Sequence, residues 1–384
     1  MHIPYSRQEI SDADIAAVVD VLRSDFLTQG PAIPAFETAF AQAHGARHAI
    51  AVANATGALH IALLALGVRP GGLVWTSPIS FVASANCALY VGADIDFVDI
   101  DPVTRNMSVE ALKAKLEAAE AAGRLPDVVV PVDFSGLACD LKEMRGLADR
   151  YGFRILEDAS HATGARYLDG PVGSDFADIS VFSFHAVKIV TTAEGGMLTT
   201  NDDDLARSLG LLRTHGVTRD AGALERPSEG GWYYEQVALG FNYRMTDMQA
   251  ALGLSQLGRM DGWRERRQAL ADRYDQALAG APLKLPARLQ DRASSWHLYV
   301  VELTDAVKAT RAEVFAGLRE AGIGANVHYI PIHTQPHYER MGFRQGDYPH
   351  SERYYDRALT IPLFPAMTEA EQDFVVETLK RLAV

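Results

Sequence analysis

Lys188 sits in SVFSFHAVKIVTTAEGGM, Ser180 to Met197, between an apolar run, a hydroxyl-rich turn and the Gly195-Gly196 pair. A lysine placed between strand-like Ile179 to Phe184 and that glycine punctuation is expected at a strand end, where burial lowers an amine's pKa and the free amine can form a Schiff base. Taken alone, Lys188 reads more readily as a solvated loop lysine. Three other stretches change that reading. Asn54-Ala55-Thr56-Gly57 follows a strand-like run and opens the helical LHIALLAL, so its backbone N–H groups and the Thr56 hydroxyl suit an anion such as phosphate. An ordinary N-cap by Asn54 or Thr56 is the alternative. Phe81, in SPISFVASAN at the start of a helix, offers a flat ring for stacking, with a core phenylalanine as the alternative. Asp158 and His161 follow the apolar run Phe153 to Leu156, at a second strand end.

These four pieces have the residue types that pyridoxal phosphate requires. Ala55, Thr56 and Gly57 would cradle the phosphate, with Ser183 in reach of it. Phe81 would stack on the ring, Asp158 would keep its nitrogen protonated, His161 would approach its 3-oxygen side, and Lys188 would meet the aldehyde carbon. Solvated-loop and structural roles are the alternatives for Asp158 and His161. Thr191, Thr192 and Glu194 read as turn formers. No GxGxxG run joins a strand to a helix, so nicotinamide chemistry has little support. His328, His333 and His337 match no zinc spacing, and no metal is expected.

The elements that must position these residues alternate. Candidate strands run over 48–53, 73–76, 95–99, 128–132, 154–157, 179–183 and 197–200, with helix-like 58–66, 81–90 and 141–151 between them, the pattern of βα units around a mainly parallel sheet. Upstream, 10–23 reads as an amphipathic helix capped by Ser11, with Ile15, Val18, Val19 and Leu22 at helical spacing. SDFLTQGP leads from it into a second short helix. Residues 216–239 look irregular, and long helices follow over 246–258 and 263–278. Beyond Pro286 the spacing predicts a smaller mixed region, with strands over 296–303 and 325–329, a helix over 306–320 and a last helix from a Thr368–Glu371 capping box. The expected organisation is a large domain over 1–260, including the N-terminal segment, and a small α+β domain over 261–384.

Composition narrows the function. The chain of 384 residues can bury a large core, and its net charge of −13, from 36 basic and 49 acidic residues, disfavours binding to nucleic acid or anionic membranes. The two cysteines, Cys87 and Cys139, are too few for a disulfide framework or zinc cluster. With no basic, apolar leader and no apolar run of membrane-spanning length, a cytoplasmic protein is expected.

An ordered set of motifs runs nearly the length of the chain: FLTQGP, NATGALHIAL, TSPISFVASAN, EDASHATGA, SVFSFHAVK, TTAEGGM, GFNYRMTDMQAALGLSQL and VHYIPIH. Together they resemble the DegT-type nucleotide-sugar aminotransferases, a branch of the fold type I pyridoxal phosphate enzymes. The resemblance implies that Lys188 is the Schiff-base lysine, and that Asn242 reaches the phosphate from a neighbouring subunit of a homodimer with shared active sites. It also implies a sugar-nucleotide site lined by Tyr5, Asp25, Phe26, Leu27, Thr28, Gln29, Arg244, His328 and Tyr329. L-glutamate is the implied donor and a UDP-linked keto sugar, a 4-keto-6-deoxy-N-acetylhexosamine, the implied acceptor. The chain departs from its relatives at Ile189, where they commonly carry proline, and at Gly57, where close relatives often carry serine.

Overall fold

The computed structural model describes residues 2–383. Its centre is a seven-stranded sheet of β1 (His48–Val52), β2 (Leu73–Thr76), β3 (Asp94–Phe97), β4 (Val128–Val130), β5 (Arg154–Asp158), β6 (Ile179–Ser183) and β7 (Gly196–Thr200). The spatial order is β1-β7-β6-β5-β4-β2-β3. β3, β2, β4, β5 and β6 run parallel, whereas β7 is antiparallel to both β1 and β6. The fold is thus the mainly parallel α/β sheet expected from the sequence, with strand edges within a few residues.

Strand composition explains the burial. Successive side chains alternate between faces, and both faces are covered, so apolar residues on the strands feed two cores. Ile155, Phe182 and Met197 join one core with Phe36, Leu112 and Met144, whereas Leu156, Val181 and Leu198 join another with Leu59, Ala85 and Leu209. The first core therefore receives helices α2 (Ala32–Ala43), α5 (Val109–Ala121) and α6 (Leu141–Tyr151), and the second α3 (Ala55–Ala65), α4 (Ala83–Tyr90) and α7 (Asp203–Leu212).

Helix α1 (Asp12–Arg23) starts at Ser11, whose hydroxyl accepts the Asp14 N–H at 3.3 Å while the Asp14 carboxylate accepts the Ser11 N–H at 2.8 Å. Its apolar residues do not face inward as their spacing suggested. Ile15 and Leu22 are each 54% exposed. The side chain that anchors the helix is the buried Asp14, which accepts hydrogen bonds from Ser255 Oγ (2.6 Å) and Gln256 Nε2 (2.9 Å) and pairs with Arg259, tying α1 to α8 (Asp247–Leu257).

After α9 (Met260–Ala277) a third core forms around a three-stranded antiparallel sheet of β8 (Leu283–Lys284), β9 (Tyr299–Leu303) and β10 (Ala358–Ile361), packed with α10 (Arg311–Glu320) and α12 (Glu369–Leu382); α11 (Pro349–Arg357) leads into β10. Two readings of the sequence are corrected. Residues 325–329 are not a strand: Asn326 makes a single bridge to Thr360 and the chain then leaves the sheet, which frees His328 and Tyr329 to turn toward the cleft. The place beside β9 belongs to β10, four residues that sequence patterning did not reveal. The N-terminus also crosses the expected boundary, because Ile3 is buried in the third core and Gly324 donates its N–H to the Ile3 carbonyl at 2.6 Å.

Candidate active site

The carboxyl ends of parallel strands are where α/β sheets bind ligands. β5 ends there in Asp158 and β4 in the turn Val132–Gly136. β6 ends there in Ser183, and because β7 returns antiparallel, the loop between β6 and β7 folds over the same end. Lys188 lies in that loop, five residues past the strand and not at its end. Phe184 and Thr192 close the loop through Thr192 N–H to Phe184 carbonyl (2.9 Å) and Phe184 N–H to Gly195 carbonyl (2.9 Å). Thr191 and Thr192 hydroxyls complete the turn, and Ile189 is buried beneath it.

The loop borders a cleft of about 700 Å³. Thr56, Phe81, Asp158, His161, Ser183 and Lys188 all line it, as do Ala55, Tyr5, His328 and Tyr329. Sequence reading thus brought together ten residues scattered over more than 300 positions. Gly57 lies behind the others: its N–H donates to Asn54 Oδ1 (2.8 Å), and an added Cβ would come within 3.1 Å of the Tyr243 ring. Asn54 is therefore the N-cap of α3, and the N–H groups of Ala55 and Thr56 take no partner among the described residues.

Asp25 to Gln29 and Asn242 lie on the exposed surface, and with Arg244 they do not line this chain's cleft. Leu27 and Thr28 are held against the start of α8, through Asp247 N–H to the Leu27 carbonyl (3.0 Å) and a bridge from Thr28 to Thr246. Asn242 bridges to Thr214 and Arg244 to Val52.

Asp158 is 4% exposed and oriented from two sides. Ser84 Oγ donates to its Oδ2 at 2.6 Å and the Ser160 N–H to its Oδ1 at 3.1 Å, while Ser80 donates in turn to Ser84 at 2.6 Å. Ser84 carries no signal of its own in the sequence beyond its place in the first turn of α4, three residues after Phe81. Hydrogen bonds to both oxygens fix the orientation of this carboxyl group at the cleft. Phe81, 59% exposed, leaves its ring open to a ligand.

Lys188 has no hydrogen bond or ion pair to its ammonium among the described residues. Burial lowers its pKa from 10.5 to about 8, with the Asp158 charge opposing that fall. Its neighbours are neutral imidazoles. Burial, then the positive charge of Lys188, lowers His328 to about 4, and burial followed by Lys188 and His328 holds His161 well below its usual range. His297, invisible to sequence reading because no local motif marks it, packs its ring 4.5 Å from that of His161 and is likewise kept neutral, first by burial.

His161 is part of a relay and not a free imidazole. Its Nδ1 accepts the Ser135 N–H at 3.3 Å, so Nε2 carries the proton and donates to the Tyr329 hydroxyl at 3.1 Å. The Tyr329 proton is then left to point elsewhere, and burial, followed by the nearby Asp158 charge, keeps that hydroxyl protonated. Gly136 makes the relay compact. At φ +94°, an added Cβ would lie 2.8 Å from the His161 carbonyl oxygen and 2.1 Å from Ser295 Oγ, the group that donates to that carbonyl.

Gly196 packs the lysine loop against the backbone at the start of α3, the candidate anion cradle. An added Cβ would lie 2.8 Å from the Ala55 nitrogen, and that contact is backbone, which cannot rotate away. Gly196→Ala is therefore expected to weaken cofactor affinity by about ten-fold or more, through a shift of well over 1 kcal/mol in the cradle. A titration of the apoprotein with pyridoxal phosphate checks this, and unchanged affinity would show that the contact does not shape the cradle.

A desolvated amine without a partner, a fixed carboxylate, open N–H groups at a helix start and an exposed ring together fit pyridoxal phosphate, and they define a pyridoxal-phosphate-dependent transferase. The comparisons with known proteins agree. The model of the DegT/DnrJ/EryC1/StrS aminotransferase family matches residues 8–380. The spore coat polysaccharide biosynthesis protein SpsC of Bacillus subtilis (strain 168) is 40% identical over 383 residues, covering 98% of this chain and 96% of SpsC. Among solved structures, Spr1654 of Streptococcus pneumoniae in its PMP form superposes with TM-score 0.91 at 31% identity, covering 100% of this chain and 99% of that one. Helicobacter pylori PseC, an aminotransferase involved in the biosynthesis of pseudoaminic acid, gives TM-score 0.91 at 29% identity, with the same coverage. The chain belongs to the DegT/DnrJ/EryC1/StrS aminotransferase family: it is a sugar aminotransferase with pyridoxal phosphate as its cofactor, and the family implies a nucleotide sugar and an amino donor as substrates.

Proposed function

We propose that this enzyme moves the amino group of L-glutamate to the C4 ketone of a UDP-linked 4-keto-6-deoxy-N-acetylhexosamine, as UDP-4-amino-4,6-dideoxy-N-acetyl-β-L-altrosamine transaminase of pseudaminic acid synthesis. What supports the reading is the resemblance of PISFVASAN, SVFSFHAVK and TTAEGG, all at the cleft, to that branch of the family, with PseC among the structural neighbours. Bound in the cleft, pyridoxal phosphate supplies an electron sink and carries the amino group between the two substrates. Lys188 would hold the cofactor covalently and serve as the resident base for proton transfer, since its amine is desolvated, with a pKa lowered to about 8. Asp158 would hold the ring nitrogen protonated, Phe81 would stack on the ring, and Ala55, Thr56 and Ser183 would hold the phosphate. Tyr5, His328 and Tyr329 face the sugar.

A second reading, amination of another keto sugar nucleotide, draws on the 40% identity to SpsC, a spore coat polysaccharide protein. Incubation with glutamate and a panel of UDP-, dTDP- and GDP-linked keto sugars, with mass detection of the amino product, separates the two. Reaction of only a non-UDP sugar would end the pseudaminic acid assignment and leave the reaction class.

The active form in this reading is a cytoplasmic homodimer with shared sites, in which Asn242, Arg244 and Asp25 to Gln29 of one subunit complete the cleft of the other. Its support is an apolar outer surface: Ile15, Leu22, Phe26 and Leu27 are 54, 54, 53 and 48% exposed. Ile15→Glu combined with Leu22→Glu is expected to yield monomers by light scattering and to lower turnover at least about ten-fold, as buried interface charges cost several kcal/mol. A fully active monomer would overturn the shared site. The same reading divides the chain into a cofactor-binding part, 1–260, and a smaller part, 261–384, which limited proteolysis tests.

A further inference from the structure

Directly behind Asp158, on the opposite face of β5, lies a group of polar side chains with no part in the chemistry described so far. Glu157 and Asp133 are both 0% exposed. Ser180 Oγ donates to Glu157 Oε2, and the Cys139 N–H donates to Asp133 Oδ1 at 2.8 Å. The remaining oxygens, Glu157 Oε1 and Asp133 Oδ2, receive no N–H or O–H from any described residue, yet the two carboxyl groups lie within hydrogen-bonding reach of one another. Two buried acceptors cannot face each other in a dry core without a proton between them.

We propose that Glu157 and Asp133 share one proton, Glu157 as the acid donating from Oε1 to Asp133 Oδ2, and that this couple is a positioning element for Asp158. Each carboxyl group has one oxygen already taken, Glu157 Oε2 by the Ser180 O–H and Asp133 Oδ1 by the Cys139 N–H, so the shared proton belongs between the two free oxygens. The direction of titration agrees: burial, followed by the Asp133 charge, raises Glu157 well above its ordinary range, whereas burial raises Asp133 only to about 6. The other ionisable groups acting on the pair are Asp158 and Cys139, whose thiol burial keeps protonated.

Two consequences follow for the cleft. The pair carries one negative charge instead of two, so the Asp158 carboxylate is not opposed by a doubly charged neighbour one residue away. The pair also ties the end of β5 to the turn after β4, where the Asp133 N–H donates to the Asp158 carbonyl at 3.1 Å and Ser135 orients His161. Glu157 thus acts through Asp158 and does not touch substrate.

Infrared difference spectroscopy on the apoprotein at neutral pH tests the shared proton without any turnover. Wild type minus Glu157→Gln is expected to show the carbonyl stretch of one protonated carboxylic acid. Asp133→Asn provides an independent variant: its amide can donate to Glu157, which then ionises, so the same band is expected to vanish. Glutamine at 157 reproduces both hydrogen bonds, donating to Asp133 and accepting from Ser180. Glu157→Ala is therefore expected to weaken pyridoxal phosphate binding about ten-fold, as for loss of one hydrogen bond to a charged group, and Glu157→Gln to restore it. Absence of the acid band from wild type, or its persistence in both Glu157→Gln and Asp133→Asn, overturns the proposal.

Discussion

Lys188→Ala is expected to lose turnover by at least about 10³-fold, because in the proposed function this one residue supplies both the covalent attachment and the proton transfer. The fold is not expected to suffer. Lys188 lies in a loop closed by backbone hydrogen bonds between Phe184, Thr192 and Gly195, and its ammonium has no partner among the described residues. Removing a desolvated ammonium from a cleft lined by neutral histidines relieves a cost, so the melting temperature of the apoprotein should stay the same or rise. Lys188→Arg should be equally inactive, since a guanidinium does not give up its proton near neutrality. Both variants should still bind the cofactor through the Asp158 and Ala55–Thr56 ends of the cleft, without the covalent link that borohydride traps in wild type. Substantial steady-state transamination by Lys188→Ala would sink the assignment.

Asp158→Asn is expected to lower turnover by two to three orders of magnitude or more, on the scale of lost electrostatic stabilisation. The amide keeps the shape and can still accept from Ser84, but it cannot hold the ring nitrogen protonated. The variant also has a signature independent of turnover. In wild type the Asp158 charge pulls the Lys188 pKa upward against burial, to about 8. With asparagine only burial remains, so the Lys188 amine of the apoprotein should titrate below that value, which nitrogen NMR of labelled lysine can follow. The linkage carries the same sign. Because the folded value lies below the unfolded one, the unfolded chain holds more protons between about pH 8 and pH 10.5, and wild-type apoprotein stability gains across that window as pH rises. For Asp158→Asn the window opens at lower pH. A higher Lys188 pKa in the variant would contradict the placement of the two groups.

Much of this site was legible because the chemistry is carried by local patterns. β2 and β6 were read to the residue, since continuous apolar and β-branched runs bounded by turn residues leave little choice of edge. The N-cap at Ser11 and the capping box at Thr368 declared helix starts in the same way. What remained hidden depends on contacts far apart in the chain. β10 is four residues long and is a strand only because Tyr299–Glu302 pairs with it. Ala325–Tyr329 has strand-like composition, but after Asn326 its backbone turns away, and no local signal announces that. Nor did the helical spacing of Ile15 and Leu22 say which way the stripe would face, because periodicity marks an apolar side without naming what covers it. The Ser135–His161–Tyr329 relay joins three segments and could be assembled only in space.

The contact between Gly196 and the Asn54–Ala55 backbone bears on how the enzyme measures its cofactor. One side of that contact carries the loop that holds the amine, and the other carries the N–H groups proposed to hold the phosphate. Their separation is therefore set by main chain against main chain, a gauge with no side-chain play in it. A cofactor analogue one bond longer or shorter between aldehyde carbon and phosphate should be refused by geometry, even with every polar group in place. Drift in that gauge would register as selective loss of cofactor from an otherwise intact fold.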